Sequence, residues 1–290
     1  MPGILQGKVA IVTGSGSPKG LGRSMAIALA RAGARVALAD VHEESLQDAV
    51  NETLEAGGEG SAIGVLTDVS NPKSAADAVE QTIAKLGSVH MLVNNAGINP
   101  HTLSGGGKPL VFYEDSPETW AKVVSVNLNG PFHMAQAVVP HLIRQGWGRI
   151  VGVTTSLDTM IRGHTSPYGP TKAGHEALVA TMASDLFGTG VTANVLIPGG
   201  ATDTNMIPDD APVDRTALLR PEVMQSPIVW LASDDSGDVT GKRIIATDWD
   251  DGLAIEKRLE KAASPAAWSQ LSRPAGLQGI PGQAGQWFNR

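Results

Sequence analysis

The chain has 290 residues, 42% of them hydrophobic and 18% charged, with a formal net charge of −7. That is enough apolar material for one large α/β domain or two small ones, and an acidic chain without a Lys/Arg run argues against nucleic acid or an anionic membrane as partner. Cysteine is absent, which excludes disulfides, thiolate metal sites and cysteine nucleophiles but leaves the compartment open.

In chain order, the opening segment Met1-Pro2-Gly3-Ile4-Leu5-Gln6-Gly7-Lys8 carries neither a basic leader nor an apolar one, so a cytoplasmic protein is expected. Short apolar, β-branched runs then alternate with longer helical patterns. Strands are expected at residues 9–12, 35–39, 61–66, 89–93, 149–153, 192–197 and 243–247. Helices are expected near 21–32, 43–56, 72–86, 117–144, 168–187 and 221–232, with Gly33 as a C-terminal cap and Asn71-Pro72 as a helix start. Several strands lack polar alternation, which means burial on both faces. Strands alternating with helices predict an α/β fold, a doubly wound parallel sheet of seven strands with the ligand at the strands' carboxyl ends. Residues 1–252 read as one dinucleotide-binding and catalytic domain. Residues 253–290 read as an extension of one helix followed by a Gly/Pro-rich tail. Trp268 and Trp287 argue against full disorder there, and packing on a second subunit or over the site is expected.

After the first strand comes Thr13-Gly14-Ser15-Gly16-Ser17-Pro18-Lys19-Gly20-Leu21-Gly22 and then a helix. Glycines let backbone approach a pyrophosphate, and a helix N-terminus offers free N–H groups. With 34 glycines in the chain, against a usual ~7%, glycine spacing by itself leaves a plain surface loop as an equal reading. Asp40, at the end of the second strand, adds the context. A carboxylate there accepts hydrogen bonds from an adenosine ribose and repels a 2′-phosphate. Lys19 pulls the other way, so NAD is favoured and NADP stays open.

The fourth strand runs into Asn94-Asn95-Ala96-Gly97. The fifth ends in Thr154-Thr155-Ser156, and Tyr168-Gly169-Pro170-Thr171-Lys172 opens the next helix. Tyr and Lys four apart share a helix face. A phenol of reference pKa ~10 is a poor base near neutrality, and a neighbouring ammonium favours its phenolate.

Over residues 5–250 the chain resembles the short-chain dehydrogenase/reductase family. The resemblance rests on the Thr-Gly-rich turn, Asp68-Val69, Asn94-Asn95-Ala96-Gly97, Asn127 in Val126-Asn127-Leu128-Asn129-Gly130, Tyr168/Lys172 and Pro198-Gly199. It implies a Rossmann-type fold, a homo-oligomer (dimer or tetramer), and hydride transfer between a nicotinamide cofactor and a secondary alcohol or ketone. Tyr168 would be general acid/base, Lys172 its pKa tuner and a ribose ligand, and Asn127 the holder of a water linking Lys172 to solvent. Gly14, Ser15, Gly20, Leu21 and Gly22 would face the phosphates, Asp40 and Val41 the adenosine ribose, and Asp68 and Val69 the adenine. Asn95, Ala96, Gly97, Pro198, Gly199 and Thr202 would line the rest of the cofactor, with Ile197 against the carboxamide and Thr204 as the alternative to Thr202.

Three departures stand out. Five residues separate Gly14 from Gly20 where the family has three, with Pro18-Lys19 resembling an insertion. Thr155 occupies the family's serine position, thirteen residues before the tyrosine, and Ser156 stands one off, so both are candidates for the hydroxyl that binds the oxyanion. Asp248-Trp249-Asp250-Asp251-Gly252 replaces the usual Asp-Gly-Gly. His101 and His164 read as loop histidines, Asp158 and Arg162 as pocket-wall candidates, and residues 201–220 as a mobile substrate lid. Nothing in the His or acidic spacing argues for a metal. The fold also serves redox-neutral dehydratases or epimerases that use bound NAD transiently, and NAD-binding regulators. The substrate is expected to be small and polar.

Overall fold

The computed structural model describes residues 3–104, 110–207, 211 and 213–271. The chain alternates strand and helix: β1 (Val9–Thr13), α1 (Leu21–Arg31), β2 (Arg35–Asp40), α2 (Glu43–Gly57), β3 (Ala62–Leu66), α3 (Pro72–Leu86), β4 (Met91–Asn94) and α4 (Pro100–Ser104). There follow α5 (Pro117–Val124), α6 (Gly130–Gln145), β5 (Gly148–Val153), α7 (Leu157–Ile161), α8 (Tyr168–Asp185) and β6 (Val191–Ile197). The chain continues through α9 (Gln225–Ala232), β7 (Lys242–Ile245), α10 (Ile255–Ala262) and β8 (Ala263–Pro265).

β1, β4, β5 and β6 are buried along their whole length, as their unbroken apolar runs require of strands covered on both faces. Side chains alternate between two cores. Ala10 and Val12 of β1 pack with Met25, Leu29 and Leu231 on the α1–α2–α9 side. Val9 and Ile11 pack with Val79, Met134, Val138 and Val179 on the α3–α6–α8 side. Local signals set the ends. The Asn71 side chain accepts from the N–H groups of Lys73 and Ser74 at the start of α3, and Gly87 closes it in the left-handed region.

The strand order is β3-β2-β1-β4-β5-β6-β7-β8. The seven expected strands are parallel, and the direction of winding reverses between β1 and β4, where open α/β sheets bind ligands. The sheet has eight strands, not seven. The eighth, β8, comes from the C-terminal extension and pairs antiparallel with β7, Ile244 opposite Ala263. Three residues ending in proline give no alternation by which to find such a strand.

The single helix expected at 117–144 is broken by a π-helical turn, Ser125–Asn129, between α5 and α6. Pro131 causes it: proline has no N–H for the regular bond and its ring crowds the carbonyl four residues back, which is that of Asn127. The helix expected at 221–232 begins as a 3₁₀ turn, Pro221–Met224, before α9. Among the described residues no helix is long and apolar enough to cross a membrane.

Candidate active site

The carboxyl ends of β1, β2 and β4 build a cradle. Gly14 has φ +64°, and a Cβ there would stand 2.7 Å from the Ala96 backbone; at Gly22 it would stand 2.5 Å from Asn95 Nδ2. Only glycine permits that approach. Asn95 locks it by donating from Nδ2 to the carbonyls of Thr13 (2.9 Å) and Gly14 (3.0 Å). Thr13 Oγ1 accepts from the N–H groups of Asn95 and Ala96 and donates to the Val93 carbonyl, so one buried hydroxyl ties β1 to the turn after β4.

The two extra residues of the glycine-rich turn form a tight bend, with Gly20 N–H donating to the Ser17 carbonyl, and Lys19 is exposed. Ser15 points its hydroxyl back to the Val12 carbonyl. α1 begins at Leu21 with no side-chain cap and no acid in its first turn, leaving its N–H groups and dipole free for an anion. The Asp40 carboxylate accepts from Gly16 N–H (2.8 Å) through one oxygen and from Val41 and His42 N–H through the other. The nearby cation, Arg23, is buried and spent on the Gly16 and Ser45 carbonyls and on Glu52. Asp68 is held as carboxylate, its pKa lowered first by the hydroxyl of Ser70. Val69 is buried against Gly130.

At the end of β5 the hydroxyl candidates separate. The Thr155 side chain stands beside the Tyr168 hydroxyl and works to lower its pKa. Ser156 caps α7 instead, with Oγ 3.3 Å from Thr159 N and 2.8 Å from Thr159 Oγ1. Lys172 is buried, donates to the Val153 carbonyl at 2.9 Å, and sits 5.8 Å from the Tyr168 ring centre. Asn127, fully buried in the π-helical turn, accepts from Ile98 N–H (2.8 Å) and donates to the Ile98 carbonyl (2.8 Å) and Thr171 Oγ1 (3.2 Å). Gly97 faces this group: a Cβ would lie 3.2 Å from Lys172 Nζ. Burial pushes the Tyr168 phenol up to about 12, against the opposing effect of the Thr155 side chain, and brings the Lys172 amine down to about 8.

Tyr168, Thr155 and Ser156 open on a cleft of about 740 Å³. Pro198, Gly199, Thr202 and Thr204 form one side of it. Gly199 has φ +100° and packs against Thr247; the Thr202 hydroxyl donates to the Gly200 carbonyl. Asp158, Arg162, His101 and His164 also line the cleft, the first two as a 3.4 Å ion pair. The expected lid is tied at its base. Thr202 bridges Leu219, and buried Asp203 pairs with Arg215 and Arg220. His101, expected in a loop, lies on α4; residues 105–109, which follow it, residues 208–210 and Trp287 lie outside the described residues.

Three buried polar residues under the site escape a reading by motif. Glu176 and Arg243 form an ion pair; the signal available for it is a charge within an otherwise apolar buried strand. His175 is fully buried with neither ring nitrogen partnered, and burial, then the charge of Lys172, holds its pKa well below the usual value. Below pH ~6.5 the unfolded chain binds a proton that the native His175 refuses, so native stability falls as pH falls. His175→Leu is expected to be neutral or stabilising at pH 7.5 and to gain further on wild type at pH 5.5, by urea unfolding at both values.

The family model described as short chain dehydrogenase matches residues 8–212. A 3-oxoacyl-[acyl-carrier-protein] reductase of Thermotoga maritima is 33% identical over 87% of this chain and 99% of its own length. An L-rhamnose 1-dehydrogenase (NAD(P)(+)) of a Sphingomonas species is 33% identical over 83% and 95%. Among solved structures, a 3-ketoacyl-(acyl-carrier-protein) reductase from Brucella melitensis complexed with NADH superposes with a TM-score of 0.71 at 28% identity, covering 81% of this chain and 95% of that one. The chain belongs to the short-chain dehydrogenase/reductase family of NAD(P)-dependent oxidoreductases.

Proposed function

We propose that the protein oxidises a small, hydroxyl-rich secondary alcohol, or reduces the matching ketone, with Tyr168 as acid/base and NAD as the preferred cofactor. The observation that carries this reading is the convergence of Thr155 and Tyr168 on one cleft, with buried Lys172 one helical turn on.

The cradle fits a dinucleotide. Gly14 and Gly22 let the Asn95-Ala96 turn close on the glycine-rich turn, and the uncapped start of α1, through Gly20 and Leu21, would hold the pyrophosphate. Ser15, with its hydroxyl on the Val12 carbonyl and its N–H on the Ala39 carbonyl, shapes the turn. Asp40 and the Val41 backbone would take the adenosine ribose, Asp68 and Val69 the adenine, and Lys172 with the Asn95-Ala96-Gly97 turn the nicotinamide ribose. Pro198, Gly199 and Thr202 would line the nicotinamide end. When bound, the nicotinamide accepts or supplies the hydride.

In oxidation, Tyr168 Oη takes the hydroxyl proton while the Thr155 hydroxyl donates to the substrate oxygen and fixes it. Lys172 favours the phenolate by its charge, and Asn127 holds the Ile98 backbone beside it. The Asn127 carboxamide is spent on Ile98 and Thr171, so a relay water would use its main-chain carbonyl. Ser156 serves as the cap of α7.

A hydroxylated substrate is supported by the cleft wall. Asp115 and Ser166 line it, and Asp115 Oδ2 and Ser166 Oγ are buried without a hydrogen-bond partner, a cost that a hydroxylated ligand would relieve if side-chain rotation on binding brought them into reach. The test is NADH formation or consumption over aldoses, polyols and 3-oxoacyl thioesters. Turnover of an aldose or polyol is expected, and turnover of oxoacyl thioesters alone contradicts the substrate class. On cofactor choice, Asp40→Ser is expected to lose about 10- to 100-fold in kcat/KM for NAD, as for a lost charged hydrogen bond, and to gain on NADP. An unchanged NAD/NADP ratio removes Asp40 from the reading. We extend the proposal to a cytoplasmic homo-oligomer, dimer or tetramer, for which the half-exposed Trp120 and Phe132 offer apolar surface; sedimentation at a monomer's mass contradicts it.

A further inference from the structure

Three consecutive residues at the end of β5 are each pinned from a different direction. The Val153 carbonyl accepts from Lys172 Nζ at 2.9 Å. The Thr154 hydroxyl donates to Glu176 Oε2 at 3.1 Å. The Thr155 carbonyl accepts from Arg243 of β7 at 2.7 Å. Arg243 in turn donates to Glu176 Oε2, and Glu176, one turn past Lys172 on α8, is fully buried.

The second oxygen of Glu176 faces the C-terminal extension and accepts from Ala267 N–H at 3.2 Å. That segment is anchored immediately before the contact. β8 pairs with β7, and buried Ala266 donates from its N–H to the Gly241 carbonyl at 2.9 Å. To present the amide, Ala267 and Trp268 take φ of +51° and +53°, a conformation that L-residues adopt at a cost. A buried carboxylate and guanidinium are retained here although an apolar pair would avoid their desolvation. What they gain is a fixed position for a backbone carbonyl.

We propose that Glu176 and Arg243 are positioning residues for Thr155, and that the C-terminal extension, through the Ala267 amide, completes the clamp that holds its hydroxyl against Tyr168. The inference rests on the acid/base reading of Tyr168, and it makes residues 263–267 part of the active-site framework. The hydroxyl's aim depends on where its backbone is held, and misplacement of such a group lowers the chemical step rather than cofactor binding.

Two variants separate positioning from folding. Glu176→Gln/Arg243→Met replaces the charged pair with neutral groups of similar size, keeps an acceptor for the Ala267 amide, turns the other terminal atom into a donor that the Thr154 hydroxyl can accept, and removes the donor to the Thr155 carbonyl. Ala267→Pro removes the amide and forbids the positive φ; Ala267→Gly keeps both and is the control. Each is measured for kcat and KM on the best aldose or polyol, for NADH affinity by fluorescence, and by NMR with ζ-¹³C tyrosine. The chain has two tyrosines, so Tyr113 serves as the internal reference for Tyr168.

The expected result is a kcat lowered about tenfold or more in both variants, unchanged NADH affinity, a displaced Tyr168 resonance and an unmoved Tyr113. Ala267→Gly behaves as wild type. Wild-type kcat with an unmoved Tyr168 resonance in either variant overturns the proposal, and Ala267→Pro alone decides it if the double variant does not fold. Tyr168→Phe is run beside them. If it keeps full activity, the acid/base reading has failed independently of the clamp, on which the resonances still report.

Discussion

Tyr168→Phe is expected to lower kcat by about 10²- to 10⁴-fold, the range of a lost general acid/base, while leaving NADH affinity and thermal stability near wild type. The substitution deletes one oxygen from a phenol whose hydroxyl meets Thr155 and the cleft. The pH dependence has a definite sign. Oxidation needs the phenolate, so its rate rises with pH. Reduction needs the phenol, so its rate is level at low pH and falls as pH rises. Without the cofactor the phenol stands at about 12, far too high for a base at neutrality. The lowering expected in the working complex therefore comes with cofactor binding, through the positive charges of Lys172 and of the oxidised nicotinamide when bound.

Lys172→Met is expected to raise stability at pH 7 while lowering kcat by a comparable factor. The Lys172 pKa drops from 10.5 to about 8 because burial disfavours its charge. At 1.36 kcal/mol per decade this corresponds to roughly 3 kcal/mol. Below pH 8 both native and unfolded forms carry the proton, and the native form bears the full desolvation cost. Between 8 and 10.5 the unfolded chain alone holds the proton, so the cost is recovered as pH rises. Methionine keeps the stem and removes the cost, offset by the lost bond to the Val153 carbonyl, worth about 1 kcal/mol. The net is a gain on the order of 1–2 kcal/mol at pH 7 that vanishes towards pH 10.5, read by urea unfolding at the two pH values. A variant less stable than wild type at pH 7 contradicts the assignment of strain to the buried ammonium.

The same physics decides what could be read in advance. Strands β1, β4, β5 and β6 are legible because burial on both faces forces unbroken apolar runs. α3 is legible because Asn71 and Gly87 act locally at its ends. The π-helical turn before Pro131 was not, since a long apolar periodicity passes through it without a break. β8 was not, because Ala263–Pro265 is a strand only by virtue of the β7 edge beside it.

In the site, Tyr168 and Lys172 follow from helix spacing. Thr155 and Ser156 are adjacent hydroxyls that spacing could not separate. Their difference is one of direction: Thr155 faces Tyr168, and Ser156 turns to cap α7. Glu176, Arg243 and Ala267 are far apart in sequence and meet only through the stacking of β5, β6 and β7 against α8, so no local pattern could carry their contact.

The central claim is that Tyr168 moves the proton with Lys172 tuning it, and the most direct measurement is a pH titration of ζ-¹³C tyrosine in the NAD complex. Tyr113 serves as the internal chemical-shift reference in the same sample. The Tyr168 titration is expected to fall from about 12 without cofactor to below the phenol reference of ~10 when NAD is bound, and to climb back in Lys172→Met. A Tyr168 midpoint that stays near 12 in an NAD complex that turns over normally would contradict it.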